Sequence, residues 1–158
     1  KYVIGLDVNA KRREQALRFG VDMALDPSLA AADLLKQINT MCRPEGADTV
    51  IEVCGVPEVL PLGLEIVRVG GTYVIAGLVS PGAHVTLDAN RFVKKMITLK
   101  GVHNYHPRHL IEALDFVVKH KAQYPFAELV DGQYALDDVT QAMSDAASQR
   151  VLRAAIVP

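Results

Sequence analysis

Tryptophan is absent from this 158-residue chain, aromatic residues make up only 6% of it, and there are two cysteines. Cys42 and Cys54 form no C-x-x-C pair and cannot supply four zinc ligands. With no secretory leader in view, they fit a reducing cytoplasm and not a disulfide scaffold. Charge of one sign is also lacking. Lys+Arg 17 against Asp+Glu 18 leaves a formal charge of -1, which removes the basic footprint needed to grip nucleic acid. No apolar run is long enough to cross a bilayer. No G-x-G-x-x-G turn occurs, and Gly55 and Gly70-Gly71 stand too isolated to cradle a pyrophosphate that way. What is present is 50% hydrophobic and 22% charged, the balance of about one globular domain.

Short apolar runs alternate with amphipathic stretches, the pattern of an α/β fold with a parallel sheet wrapped by helices. Val3 to Leu6 reads as a strand. Asn9 caps a helix with Ala16 and Leu17 inward, and Gly20 stops it. Val21 to Leu25 is the next strand; Ser28 caps a helix carrying Leu34, Ile38 and Met41, ended by Pro44-Glu45-Gly46. Asp48 to Val53 follows as a strand. Pro57 opens a helix with Leu60, Leu64 and Val67 on one face, closed by Gly70-Gly71 before a strand from Thr72 to Ala76. A short helix over Asn90 to Lys95 precedes a strand from Ile97 to Val102, and Pro107 starts a helix lined by Leu110, Leu114 and Val117. Ala127 to Tyr134 is a weaker strand, Asp137 caps a last helix with Val139, Ala142, Met143 and Ala146, and Val151 to Val157 closes the chain. No linker marks a domain boundary.

Ligands of open parallel sheets bind beyond the carboxyl ends of the strands. Those ends are Asp7, Asp26, Cys54-Gly55, Gly77-Leu78 and Val102-His103-Asn104. An acid at the first exit, Asp7, can hold a ribose diol, or it can merely cap the next helix. Its carboxylate would repel the extra phosphate of NADP, although Lys11-Arg12-Arg13 could compensate one. His103, His106 and His109 recur in steps of three without an accompanying carboxylate, so they read as no metal site. Cys54 reads as a small buried hydrophobe before it reads as a reactive thiol, and Tyr2 and Tyr73 as packing residues.

Five segments, taken in order, make a more specific pattern: Ile4-Gly5-Leu6-Asp7-Val8-Asn9, Arg18-Phe19-Gly20-Val21-Asp22, Asp48-Thr49-Val50-Ile51-Glu52-Val53-Cys54-Gly55, Val69 to Gly77, and Leu99-Lys100-Gly101. Together they resemble the medium-chain, zinc-type alcohol dehydrogenase family. His103 to Leu110 with Tyr124-Pro125-Phe126 is similar to the branch of that family associated with phosphonate catabolism. The resemblance implies that residues 1–158 are a truncated, Rossmann-like, doubly wound dinucleotide-binding domain. The first strand, glycine-rich turn, first helix and N-terminal zinc-bearing catalytic domain would lie outside it.

The resemblance further implies cofactor-binding roles. Asp7 and Val8 match the adenosine-ribose segment and Arg12 a basic residue flanking it; Cys54 and Gly55 match the loop beside the adenosine half. Gly77, Leu78 and Val79, with Val102, His103 and Asn104, match segments whose backbone meets the nicotinamide, and Arg153 a basic residue near the pyrophosphate. NAD is the implied cofactor, ahead of NADP, and zinc belongs only to the parent's other domain. The parent would oxidise an alcohol by hydride transfer, and this chain alone would not catalyse. A homodimer through the strand at 97–102, or pairing with an upstream fragment of the same protein, is the implied assembly. Other readings are a truncated, non-catalytic assembly partner and an adenosyl-donor methyltransferase.

In the family's sheet order the first strand lies between those ending at Asp7 and Cys54. Without it, two interior edges about 10 Å apart would lose partners. Each of these buried, unpaired groups would cost about 1–3 kcal/mol, so an open slot is not tenable against total stabilities of about 5–15 kcal/mol. An upstream segment, a strand from another copy, or direct closure of the two edges is therefore expected.

Overall fold

In the computed structural model, which describes residues 1–42 and 45–158, each strand pairs in parallel with its neighbour. The chain divides into two compact units, Lys1–Tyr105 and His106–Pro158, although no Gly/Ser-rich linker announces the division.

The first unit opens with β1 (Ile4–Leu6), α1 (Ala10–Arg18) and β2 (Met23–Leu25). β1 and β2 run in register, from Ile4 beside Met23 to Leu6 beside Leu25. Asn9 caps α1 as expected, its side chain accepting from Lys11 N and Arg12 N at 2.9 and 3.3 Å. The helix sits shallowly, however: Ala16 is half-buried and Leu17, expected inward, is exposed. α2 (Ala31–Cys42) begins later than expected. Ser28 is held by Asp26 in the preceding turn, and the Ala30 carbonyl accepts the Asp33 and Leu34 amides that start the helix. Leu34 and Ile38 are buried as their spacing predicts, while Pro44 lies outside the described residues.

Next come β3 (Ala47–Glu52), α3 (Leu60–Ile66), β4 (Val67–Ile75), α4 (Ala89–Lys94) and β5 (Thr98–Gly101), with sheet order β3-β4-β5. Gly70-Gly71 does not end the helix. β4 starts directly after α3 and carries those glycines within a bulge, where the register moves from Ala47 beside Val67 to Thr49 beside Thr72. Gly70 N donates to Lys95 O at 2.7 Å and Arg68 pairs with Asp48 at 2.7 Å, which draws the segment into the sheet.

Two apolar clusters hold this unit. Leu60, Leu64, Val67, Tyr73 and Ile97 form one. Leu25, Leu34, Ile38 and Ile66 form the other, with Ile4, Met23, Ala47 and Val50 packed on it, so β1–β2 and β3 share a core without sharing hydrogen bonds. Among the described residues, β1 and β3 belong to separate sheets, and direct closure of these edges is not adopted. The cost argued for open edges assumed burial. Val3, Ile51 and Val53 are exposed, so water can reach these edges and that penalty does not arise.

The second unit contains α5 (Pro107–His120), β6 (Gly132–Ala135), α6 (Val139–Ala147) and β7 (Ala154–Val157). β6 starts five residues later than expected, because Phe126–Leu129 form a 3₁₀ turn. A second such turn, Leu136–Asp138, takes Asp137, and α6 opens without a side-chain cap. Asp131 instead ties the strands' ends, accepting from Leu152 N and Arg153 N at 2.7 and 3.3 Å. No residue of α5 is buried, and Leu110, Leu114 and Val117 line an exposed stripe.

Candidate functional site

The strand ends of the first unit gather most of the residues singled out by sequence, in three groups. The first is at the end of β1. Asp7 N donates to Leu25 O at 3.2 Å, prolonging the β1–β2 pairing, and Asp7 Oδ1 accepts from Asn9 N at 2.8 Å. Asp7 therefore fixes the turn into α1, and Oδ2 faces Arg12 Nη1 at 3.8 Å with both side chains about one-third exposed. Val8 is exposed beside it. Arg13 is engaged elsewhere: Nη1 donates to Asp7 O at 2.7 Å and pairs with Asp26 Oδ2 at 3.1 Å. Asp26 is held below the usual carboxylate range, chiefly by the Ser28 hydroxyl and amide and further by Arg13.

The second group joins the ends of β3 and β4. Gly55 has φ +72°, and a Cβ there would lie 2.9 Å from Gly77 O. At Gly77 a Cβ would lie 2.5 Å from Gly55 N and 2.6 Å from Glu52 Oε1. The loops after the two strands thus approach backbone to backbone, and only glycine permits it. Glu52 is the buried charge beneath them, 4% exposed. Its Oε1 accepts from Gly55 N at 2.6 Å and its Oε2 from Gly77 N at 3.1 Å, while its carbonyl accepts from Ala76 N and Gly77 N at 2.9 and 3.2 Å. Leu78 packs on the core below and Val79 is exposed.

Cys54 is exposed and not the buried hydrophobe expected. Partial burial of its sulfur nonetheless pushes the thiol up, and Glu52 adds to the rise against the opposing Val56 amide. This disfavours a reactive thiolate. Tyr73 is the packing residue expected: 1% exposed, its hydroxyl pushed up to about 12 by burial and then by Glu52 and Cys54.

The third group follows β5. Val102 N donates to Ile75 O at 2.9 Å, and His103 and Asn104 are exposed, with Asn104 at φ 55°. Arg153 lies in the second unit, where its backbone meets Asp131 and its side chain borders an apolar hollow between α6 and β7. The histidines have local partners. His106 Nδ1 accepts from Arg108 N at 3.2 Å, His109 faces Glu112 at 3.0 Å, and no cluster of metal-ligating side chains occurs among the described residues.

Sequence reasoning missed Glu52. Its signal was an ionisable residue ending an otherwise apolar run, directly before Val53-Cys54-Gly55.

Comparison with known proteins adds the following. The family described as zinc-binding dehydrogenase matches residues 2–119. A geraniol dehydrogenase of Castellaniella defragrans is 31% identical over 145 residues, which are 89% of this chain and 37% of that protein. The structure of an alcohol dehydrogenase of Thermotoga maritima superposes with a TM-score of 0.91 at 23% identity, covering 100% of this chain and 43% of the other. That of a zinc-binding dehydrogenase of Sinorhizobium meliloti 1021, bound to NADP, gives 0.84 at 24% identity, covering 100% and 45%. The fold is the Rossmann-like α/β one shared with these structures, and the chain spans less than half of their length.

Proposed function

The chain belongs to the zinc-binding dehydrogenase family, and from that membership we propose that it is most of the cofactor-holding part of an alcohol dehydrogenase. The observation that carries the reading is Asp7, at the end of β1 with one oxygen fixed by the Asn9 amide and the other turned to Arg12. A carboxylate so placed can accept hydrogen bonds from a ribose diol. The dinucleotide fits the chain's own surface, because the glycine-lined approach of Gly55 and Gly77 leaves main chain without side chains at two strand ends. When bound, the nicotinamide supplies hydride transfer. The chain's part is to hold the ribose through Asp7 and Arg12, the adenosine side through Cys54-Gly55, and the carboxamide through the backbone of residues 77–79 and 102–104.

Zinc does not fit this chain, since its described residues bring no ligand cluster together. We assign the metal and the alcohol pocket to the part of the relatives' length that this chain does not span. NAD is favoured over NADP because Asp7 would repel a ribose phosphate, and Arg13 is already engaged by Asp7 and Asp26. The NADP bound by the S. meliloti protein makes this a point to measure. The similarity over His103 to Leu110 carries the phosphonate-associated branch into the proposal. Pairing of two copies along β5, which has β4 as its sheet neighbour among the described residues, completes it, with the cytoplasm as its place.

Calorimetric titration of the complete polypeptide tests the reading. NAD should bind more tightly than NADP, and Asp7→Ala should weaken NAD by about tenfold while narrowing the gap between the two. A complete protein that binds neither dinucleotide overturns the assignment.

A further inference from the structure

Glu52 is the buried charged side chain among the described residues, and no step proposed so far uses it. Its carboxylate lies under both loops, with one oxygen on Gly55 N at 2.6 Å and the other on Gly77 N at 3.1 Å. Burying an ionisable side chain is costly unless it is hydrogen-bonded, so its place at the end of this strand needs a reason. The two amides provide one: the carboxylate is the acceptor for Gly55 N and a second acceptor for Gly77 N, which also donates to Glu52 O, and its two oxygens can serve both loops at once. The glycines make the same point from the other side, since a methyl at Gly77 would fall on Gly55 N and Glu52 Oε1. The approach is tight, and the Glu52 side chain spans both loops.

We infer that Glu52 is a positioning residue that fixes the distance between the loop at Cys54-Gly55 and the loop at Gly77-Leu78-Val79, so that both halves of one dinucleotide are received together. The inference rests on the cofactor reading above. Glu52 itself touches no cofactor in this scheme. It acts through two backbone amides and preorganises the surface, lowering the cost of ordering two loops on binding. The asymmetry of the hydrogen bonds gives the variant to make. Glutamine keeps one acceptor oxygen and replaces the other by an amide NH2 that cannot accept, so Glu52→Gln breaks one of the two side-chain ties at nearly constant volume.

The experiment compares whole and half ligands on the complete polypeptide that carries this chain. NAD and AMP are titrated against the native protein and Glu52→Gln, with circular dichroism recording the folded state. A spacing role predicts that NAD weakens by about tenfold, or about 1.4 kcal/mol, while AMP, which meets Asp7 and the Cys54-Gly55 loop but does not span to the second loop, changes by less than about threefold. A purely structural role removes binding-competent protein and lowers both apparent affinities by the same factor, which overturns the inference, as does unchanged NAD affinity. Glu52→Asp keeps both acceptors on a shorter arm; it should show the same selective loss in smaller degree, and it decides by the same ratio if the glutamine variant does not fold. Native protein that binds neither NAD nor AMP would instead strike at the cofactor reading itself.

Discussion

Lys95 shows how much one side chain can organise. Its Nζ donates to the carbonyls of Leu64, Glu65 and Val67 at 2.8, 2.8 and 2.9 Å, gathering the end of α3 and the start of β4. Partial burial holds the ammonium below its ordinary value, and Arg91 adds to this. Lys95→Met keeps the stem and loses the donors, and should cost about 1–3 kcal/mol of stability in urea denaturation. Gly63 is the companion case. A methyl there would overlap the Tyr73 hydroxyl in the core, so Gly63→Ala should lower the melting temperature clearly, whereas Gly82→Ala, where nothing lies within 4 Å, should cost only the strain of its φ of +85°. Neither Lys95 nor Gly63 was legible in sequence, because their partners lie about 30 and 10 positions away and no periodicity connects them.

Among the elements, one turn and one helix carry an acid dependence. Asp26, after β2, and Asp145, in α6, both titrate below the usual carboxylate range. The first is held chiefly by Ser28, the second by Gln141 and Tyr134 and further by Arg150. A carboxyl with a depressed folded pKa binds fewer protons folded than unfolded. Its stabilisation is therefore full above the unfolded value of about 4 and is lost as pH falls through the lower folded value. Melting temperature should hold from neutrality to about pH 5 and then fall, and Asp26→Asn should flatten part of that acid limb. Equal acid sensitivity in the variant would show that the Ser28 and Arg13 contacts do not matter. Element identity itself was largely readable. Asn9 announced α1 and Leu34 with Ile38 announced the buried side of α2, since capping and helical spacing are local properties. Boundaries failed where a distant bond intervened, as at Gly70, whose amide goes to Lys95 and leaves the glycine pair inside β4.

Over the whole molecule, the exposed apolar surface is the dominant fact. Leu110, Leu114 and Val117 on α5, and Ile51 and Val53 around β3, face water, while the relatives are more than twice as long as this chain. Contiguous exposed apolar surface marks an interaction site or an aggregation liability. The isolated 158-residue chain should therefore bind a hydrophobic dye such as ANS and self-associate in size-exclusion chromatography, and the complete polypeptide should do neither. A monodisperse isolated chain that leaves the dye dark would mean that these faces need no cover.

The sequence by itself determined the parallel α/β class, the order of the elements and the strand ends that bear Asp7, Gly55, Gly77 and Asn104, because apolar periodicity, caps and turns act over a few residues. Its ordered segments were sufficient to indicate the dehydrogenase family that the comparison then showed. Only the tertiary structure decided that Arg13 is committed to Asp7 and Asp26, that β1 and β3 stand in separate sheets, and that Glu52 ties two loops together. Some of these contacts reach across the chain, as Glu52 does to Gly77 and Arg13 to Asp26, and even the short ones depend on side-chain geometry at the level of tenths of an ångström, which no one-dimensional pattern encodes.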